Sequence, residues 1–142
     1  MSIKNLLCDK PAMFYLLLVL SLALHVSDEA IFGFLDFYNP MALKLREYLI
    51  IFPPTFTFPL WITGLSLAVV LLLLLTPLVY RRNRIFLRIA IIFAAIMILN
   101  GIGHFAFSIF YRKIVAGMLS SPLLILFSVC FILQIQRASK KV

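Results

Sequence analysis

The chain has 142 residues, enough for one domain, and its composition is that of an integral membrane protein. Hydrophobic residues make up 64% of it and the mean hydropathy is +1.12, whereas soluble domains contain about 45–50% apolar residues. A net charge of +8 in a soluble protein would suggest nucleic-acid binding, but here the basic residues lie between apolar runs, where they set membrane topology. We therefore expect the lipid bilayer, and not nucleic acid, as the partner.

Four apolar runs are long enough to span the membrane, since crossing about 30 Å of hydrocarbon takes about 20 residues. They are predicted at about residues 11–36, 58–80, 85–110 and 114–136. The start of the chain, with Lys4 and Lys10 before an apolar run, also resembles a signal peptide. Apolar residues resume after Glu29, however, so we expect a retained span. The prediction is an all-α polytopic protein whose single helical-bundle domain covers residues 1–142.

The segment between the first two spans, residues 37–57, is longer than the other connections. Its MALKLREYLIIF stretch sets a few charges among leucines and aromatics, which is typical of a helix lying at the membrane interface. The PPTFTFP stretch that follows forbids a continuous helix. We expect an interfacial helix followed by a kinked entry into the second span.

The distribution of Lys and Arg predicts the orientation, because cytoplasmic loops carry an excess of these residues. If both termini are cytoplasmic, that side holds Lys4, Lys10, Arg81, Arg82, Arg84, Arg88, Arg137, Lys140 and Lys141. The far side then holds Lys44, Arg46, Arg112 and Lys113. This excess favours cytoplasmic termini, in a plasma membrane or a bacterial inner membrane.

Five polar residues interrupt two of the predicted spans. His25, Asp28 and Glu29 are three or four residues apart, so in a helix they project from overlapping faces. Asn100 and His104 have the same relation in the third span. At 1.5 Å per residue, His25 lies roughly 20 Å above the start of the first span and Asn100 roughly 20 Å above Arg88. We therefore expect both sets at one depth, in a shared site.

Placing two acidic side chains inside a membrane span costs insertion free energy, which other interactions must offset. A carboxylate at a span centre costs about 2.5–3.5 kcal/mol of insertion free energy, so Asp28 and Glu29 together would cost about 5–7 kcal/mol if ionised and unpaired. They must be protonated, paired or bound to a cation. Candidates for compensation are the two histidines, a metal ion, or Arg112 and Lys113 reaching inward. Gly101 and Gly103 are expected to let a neighbouring helix approach closely.

The pattern His25-x-x-Asp28-Glu29, with His104 on a later span, resembles the HXXEE-domain family of small multi-pass membrane proteins. This chain has Asp where the family motif has its first Glu. Of the Tyr-x-Pro-Gly motif expected after the second histidine, residues 114–117 keep only Gly117. The resemblance implies candidate residues but no reaction.

The leading hypothesis is a membrane enzyme acting on a lipid or isoprenoid-like small molecule. In it Asp28 and Glu29 exchange protons with the substrate, His25 and His104 shuttle or orient them, and Asn100 binds a polar head. A metal version is equally natural, because two histidines and a carboxylate are ligands used by catalytic zinc and non-haem iron; His25, Glu29 and His104 are then the ligands.

Two other roles stay open. Intramembrane Asp, Glu and His residues are also used in proton relays, which makes a small proton-coupled transporter the main alternative. The polar residues of a structural or regulatory partner protein would instead only hydrogen-bond one another and join two helices, a weak gain of about 0.6–2 kcal/mol for each bond. Homo-oligomerisation is compatible with any of these roles.

Overall fold

The computed structural model describes residues 9–49 and 53–139, and every regular element in these ranges is an α-helix. The helices are α1 (Lys10–Ile31), α2 (Phe34–Arg46), α3 (Phe58–Tyr80), α4 (Arg84–Tyr111) and α5 (Ser121–Ser139). All but α2 are long and apolar enough to cross a membrane, which gives four candidate spans. The predicted all-α fold is confirmed.

The spans form a bundle in which α1 packs against α3 and α5, and α5 also packs against α4. Tyr15 of α1 is completely buried where the four spans meet. Its ring lies 5.8 Å from that of Phe86 on α4 and 5.6 Å from that of Phe131 on α5, measured between centroids. Its hydroxyl donates to the Leu72 carbonyl of α3 at 3.2 Å. This one side chain of α1 thus contacts each of the other three spans.

The outward surface of the bundle is as apolar as its interior. On α3, Leu67, Leu71 and Leu74 point away from the other helices and are more than half exposed within the isolated chain. Such a surface would be unusual on a soluble monomer but suits contact with lipid chains. The outward leucines therefore agree with the membrane assignment.

The first span begins at Lys10, next to the predicted start at residue 11, and its first turn is capped. Asp9 accepts a hydrogen bond from the Ala12 amide at 3.3 Å and is the N-cap of α1. The same carboxylate pairs with Arg82, in the turn between α3 and α4, at 3.1 and 3.2 Å. This partly exposed pair contributes only about 0–1 kcal/mol, but it joins two connections at one end of the bundle.

Two predicted boundaries are wrong, and backbone geometry explains both. The first span does not continue to residue 36, because Gly33 adopts a left-handed conformation (φ +68°) that ends α1 at Ile31 and starts α2. The fourth span begins at Ser121 and not at residue 114. Residues 112–120 form turns in which Gly117 has φ +84°.

The interfacial helix is present as α2, shifted toward the N-terminus relative to the predicted 41–52 segment. It ends at Arg46, and residues 50–52 of the prediction lie outside the described part of the chain. Asn39 fixes the following loop by pairing with both backbone groups of Phe56: it donates to the carbonyl at 2.9 Å and accepts from the amide at 3.0 Å. The loop is therefore held against α2.

Candidate metal centre

His25 and Glu29 of α1 meet His104 of α4 inside the bundle. Their side chains are almost completely buried, with 2%, 5% and 6% of each residue exposed. Glu29 Oε1 lies 3.1 Å from His104 Nε2 and 3.5 Å from His25 Nε2. The two imidazole rings are edge to face, with centroids 4.8 Å apart. One carboxylate oxygen is thus shared by two imidazoles from different helices.

Asp28, next to Glu29 in α1, is hydrogen-bonded by Ser120, which precedes α5. Its Oδ2 accepts from the Ser120 amide at 3.0 Å and from the Ser120 hydroxyl at 2.7 Å. The hydroxyl also lies 2.8 Å from His25 Nδ1 and 3.2 Å from the Gly117 carbonyl. A continuous chain of contacts therefore runs from Asp28 through Ser120 to His25.

The contacts of Ser120 favour one tautomer of His25. The Ser120 hydroxyl donates its one proton to Asp28 Oδ2, so its oxygen is available to accept from His25 Nδ1–H. We assign His25 this tautomer, which leaves the Nε2 lone pair free in a neutral ring. Nε2 is buried, faces the Glu29 carboxylate, and has no hydrogen-bond partner among the described residues.

Two electron-rich atoms facing each other in a buried position need a proton or a cation between them. A metal ion is a good candidate, because one ligand atom from each of His25, Glu29 and His104 lies within 4.8 Å of the others. Tetrahedral zinc with bonds of about 2.0–2.1 Å brings its ligand atoms to about 3.3 Å from one another. The two separations from Glu29 Oε1, 3.1 and 3.5 Å, bracket this value. The three side chains are therefore a candidate ligand set for a first-row transition metal.

His104 is positioned by backbone on one side and an aromatic ring on the other. A Cβ added to Gly117 would lie 2.6–3.0 Å from three atoms of the imidazole ring, so only glycine fits there. Phe34 of α2 lies 5.9 Å from the ring between centroids. Gly117 therefore lies directly against the ring of His104.

An aromatic cluster covers the site on the side of α2. Phe34 stacks with Tyr38 at 5.3 Å and with Trp61 at 5.9 Å, and Tyr38 stacks with Phe56 at 6.0 Å. These rings pack on one another and, through Phe34, on His104, and Trp61 itself is buried. These rings therefore close the polar cluster on the side of α2.

Asn100 is not part of the cluster, contrary to our expectation. Its side chain is exposed on α4, and it makes no side-chain hydrogen bond within the described ranges. The buried stripe of α4 runs through Gly101, His104 and Ser108. Asn100 precedes Gly101 by one residue, a rotation of about 100° around the helix, which turns it toward the outside.

The other expected contributors differ in their placement. Gly101 does allow close approach, since a Cβ there would lie 2.7 Å from the Ile125 side chain of α5, but nothing lies within 4 Å of a Cβ at Gly103. Arg112 and Lys113 are exposed and do not pair with the buried acids in the described structure. Among the described residues, the groups that face the Glu29 carboxylate are therefore the two histidines and not these basic residues.

Ser120 is the site residue that the sequence did not reveal. It falls inside the predicted fourth span, in a Ser-Ser-Pro stretch typical of a helix start. Such serines usually cap helices, so only the fold shows that this one reaches Asp28 and His25.

No family model matches the chain, and no curated protein or solved structure matches it. The function is therefore argued from the geometry of the site.

Proposed function

We propose that the protein is a membrane enzyme in which His25, Glu29 and His104 bind a divalent metal ion that activates the polar group of a lipophilic substrate. The residues come from α1 and α4 and meet in a buried position. We also propose that the protein lies in a plasma membrane or a bacterial inner membrane with both termini in the cytoplasm. The distribution of Lys and Arg supports this orientation.

The observation that carries this proposal is the environment of His25 Nε2. The atom is buried, has no hydrogen-bond partner among the described residues, and lies 3.5 Å from Glu29 Oε1. A bound cation would use this lone pair and neutralise the carboxylate at once. It would also supply the compensation that a carboxylate in a span requires.

The surroundings of His25 resemble the support that metal-binding histidines have in other proteins. Such a histidine usually donates its other ring N–H to a carboxylate, a carbonyl or water, which fixes the ring and its tautomer. Here Nδ1 donates to Ser120, which in turn donates to Asp28. Zinc or iron(II) bound by two histidines and one carboxylate keeps open positions for water or substrate and acts as a Lewis acid.

Metal-free acid–base chemistry is the second candidate, and one distance favours it. Glu29 Oε1 and His104 Nε2 lie 3.1 Å apart, which is already a hydrogen-bonding separation without an ion. In this version Glu29 and the imidazoles exchange protons with the substrate. The two candidates differ in whether the purified protein contains metal.

The test is elemental analysis of the full-length protein purified in detergent without chelators. The metal proposal predicts about one zinc or iron atom per chain, and its loss in His104→Ala. The matched control is Asn100→Ala, one turn away on the exposed face of α4, which should retain the metal. Metal-free wild-type protein that also fails to take up added zinc or iron(II) would contradict the metal proposal and favour acid–base chemistry.

A further inference from the structure

A groove opens on the outside of the bundle next to the polar site. It has a volume of about 280 Å³ and lies between the end of α1 and the start of α5. Its walls are apolar and face outward, where lipid chains would surround the bundle: Leu24, Ile31, Phe32, Leu119 and Leu123 are all at least 40% exposed. Asp28 and Ser120 also line this groove, so a polar floor lies within reach of lipid.

One carboxylate oxygen of Asp28 lacks a hydrogen-bond donor. Both hydrogen bonds that Asp28 accepts go to Oδ2, from the amide and the hydroxyl of Ser120, and no group in residues 9–49 and 53–139 donates to Oδ1. Asp28 is more than nine-tenths buried and lines the groove, so Oδ1 is an acceptor that a bound donor could use.

We infer that the groove binds a long-chain lipid alcohol, whose hydroxyl donates to Asp28 Oδ1 and whose chain lies along the leucine walls. The volume is close to the lower end of small-molecule sites, about 300 Å³. It suits the head and the first part of a chain, with the rest of the chain remaining in the bilayer.

The chemistry of the floor selects this head group. A carboxylate or phosphate would place acceptor oxygens against the Asp28 acceptor, and no Lys or Arg lines the groove to bind them. The choice of a neutral hydroxyl over an ammonium group rests on the proposed function: a divalent ion bound by Glu29 and the histidines would already place positive charge beside Asp28, which disfavours a second cation. The alcohol would then lie next to Ser120, whose hydroxyl also contacts His25 Nδ1.

The inference is tested by binding of radiolabelled hexadecanol to the full-length protein in phosphatidylcholine nanodiscs. Unlabelled hexadecanol, hexadecanoic acid and hexadecylamine serve as competitors. We expect the alcohol to compete about tenfold better than the acid, a difference of about 1.4 kcal/mol, because only the alcohol supplies a donor to the buried Oδ1. Equal competition by alcohol and acid would overturn the inference, and stronger competition by the amine would overturn the hydroxyl assignment.

Two variants and one control test whether hexadecanol binds in this groove. Asp28→Asn should reduce the preference for alcohol over acid about tenfold, and an unchanged preference would overturn the role of Asp28. Leu123→Trp should fill the groove and weaken hexadecanol binding even if Asp28→Asn proves unstable; unchanged binding would overturn the groove. Ser27→Ala is the control, because Ser27 lines the groove but bonds to the Ala23 carbonyl of its own helix.

Metal content measured in the same preparations separates this inference from the proposed function. Metal-bound protein without alcohol preference contradicts the inference alone. Metal-free protein that still prefers the alcohol contradicts the metal proposal and leaves the groove assignment supported.

Discussion

Gly117 is the residue on which the position of His104 depends most directly. Its backbone has φ +84°, and a Cβ would lie 2.6 Å from His104 Cε1. Any other residue is therefore unfavourable twice, through the backbone conformation and through contact with the ring. No movement of a flexible side chain relieves this contact, because the ring is itself packed against Phe34.

Gly117→Ala is expected to displace His104. The left-handed conformation alone should lower the free energy of unfolding by about 1–3 kcal/mol, and metal affinity should fall with it. Thermal unfolding in detergent and metal titration measure the two effects. Gly103→Ala is the control, since nothing lies within 4 Å of a Cβ there, and it should leave both quantities nearly unchanged. Equal effects of the two substitutions would contradict the assigned role of Gly117.

Ser120 determines the orientation of His25, and its removal should weaken metal binding without removing a ligand. Ser120→Ala eliminates the acceptor for His25 Nδ1 and one donor to Asp28. Loss of such a supporting contact typically lowers metal affinity about 10–100-fold. Ser128→Ala is the matched control, because that hydroxyl is also buried but has no partner among the described residues. Affinity unchanged in Ser120→Ala would show that the chain from Asp28 to His25 is not used.

At the scale of elements, the site depends on how closely α4 approaches α5. Gly101 makes this possible, since a Cβ at this position would lie 2.7 Å from Ile125 Cγ1 and 3.4 Å from the Ser121 carbonyl. The same approach places the turn before α5, with Gly117 and Ser120, beside His104 and His25. The spacing of two spans therefore sets the contacts of the site.

Gly101→Leu should push α4 and α5 apart. Overpacking of this kind costs about 1–3 kcal/mol, and the displacement of α4 should also weaken metal binding. Gly64→Leu on α3 is the comparison, because nothing lies within 4 Å of a Cβ there. Thermal unfolding of both variants checks the difference. If Gly101→Leu is no less stable than Gly64→Leu, close approach at this position is not important.

The elements were predictable from sequence where local chemistry determines them. Apolar runs placed the starts of α1, α3 and α4 to within one residue, and the PPTFTFP stretch correctly interrupted the helix before α3. The end of α1 and the late start of α5 were not predicted, because both depend on left-handed glycines within otherwise apolar sequence. Helical spacing brought His25 and Glu29 to one face, but it could not show that Asn100 turns outward, since that depends on which stripe of α4 packs inward.

At the scale of the whole molecule, the bundle isolates its polar residues from an apolar exterior. The cluster lies between α1, α4 and the turn before α5, the aromatic rings of α2 and α3 cover it, and an apolar groove reaches Asp28 from the side. The membrane-protein class could be predicted from composition, because a chain this apolar is not expected to fold as a soluble protein. The partnership of Ser120 with two residues over 90 positions earlier required the fold.

The most direct measurement is an anomalous difference map from crystals of the full-length protein grown with zinc and collected at the zinc absorption edge. We expect one strong peak between His25 Nε2, Glu29 Oε1 and His104 Nε2, at about 2.0–2.2 Å from each. The absence of a peak there, or a refined structure in which the two imidazoles turn to different sides of the bundle, would contradict the proposed metal centre.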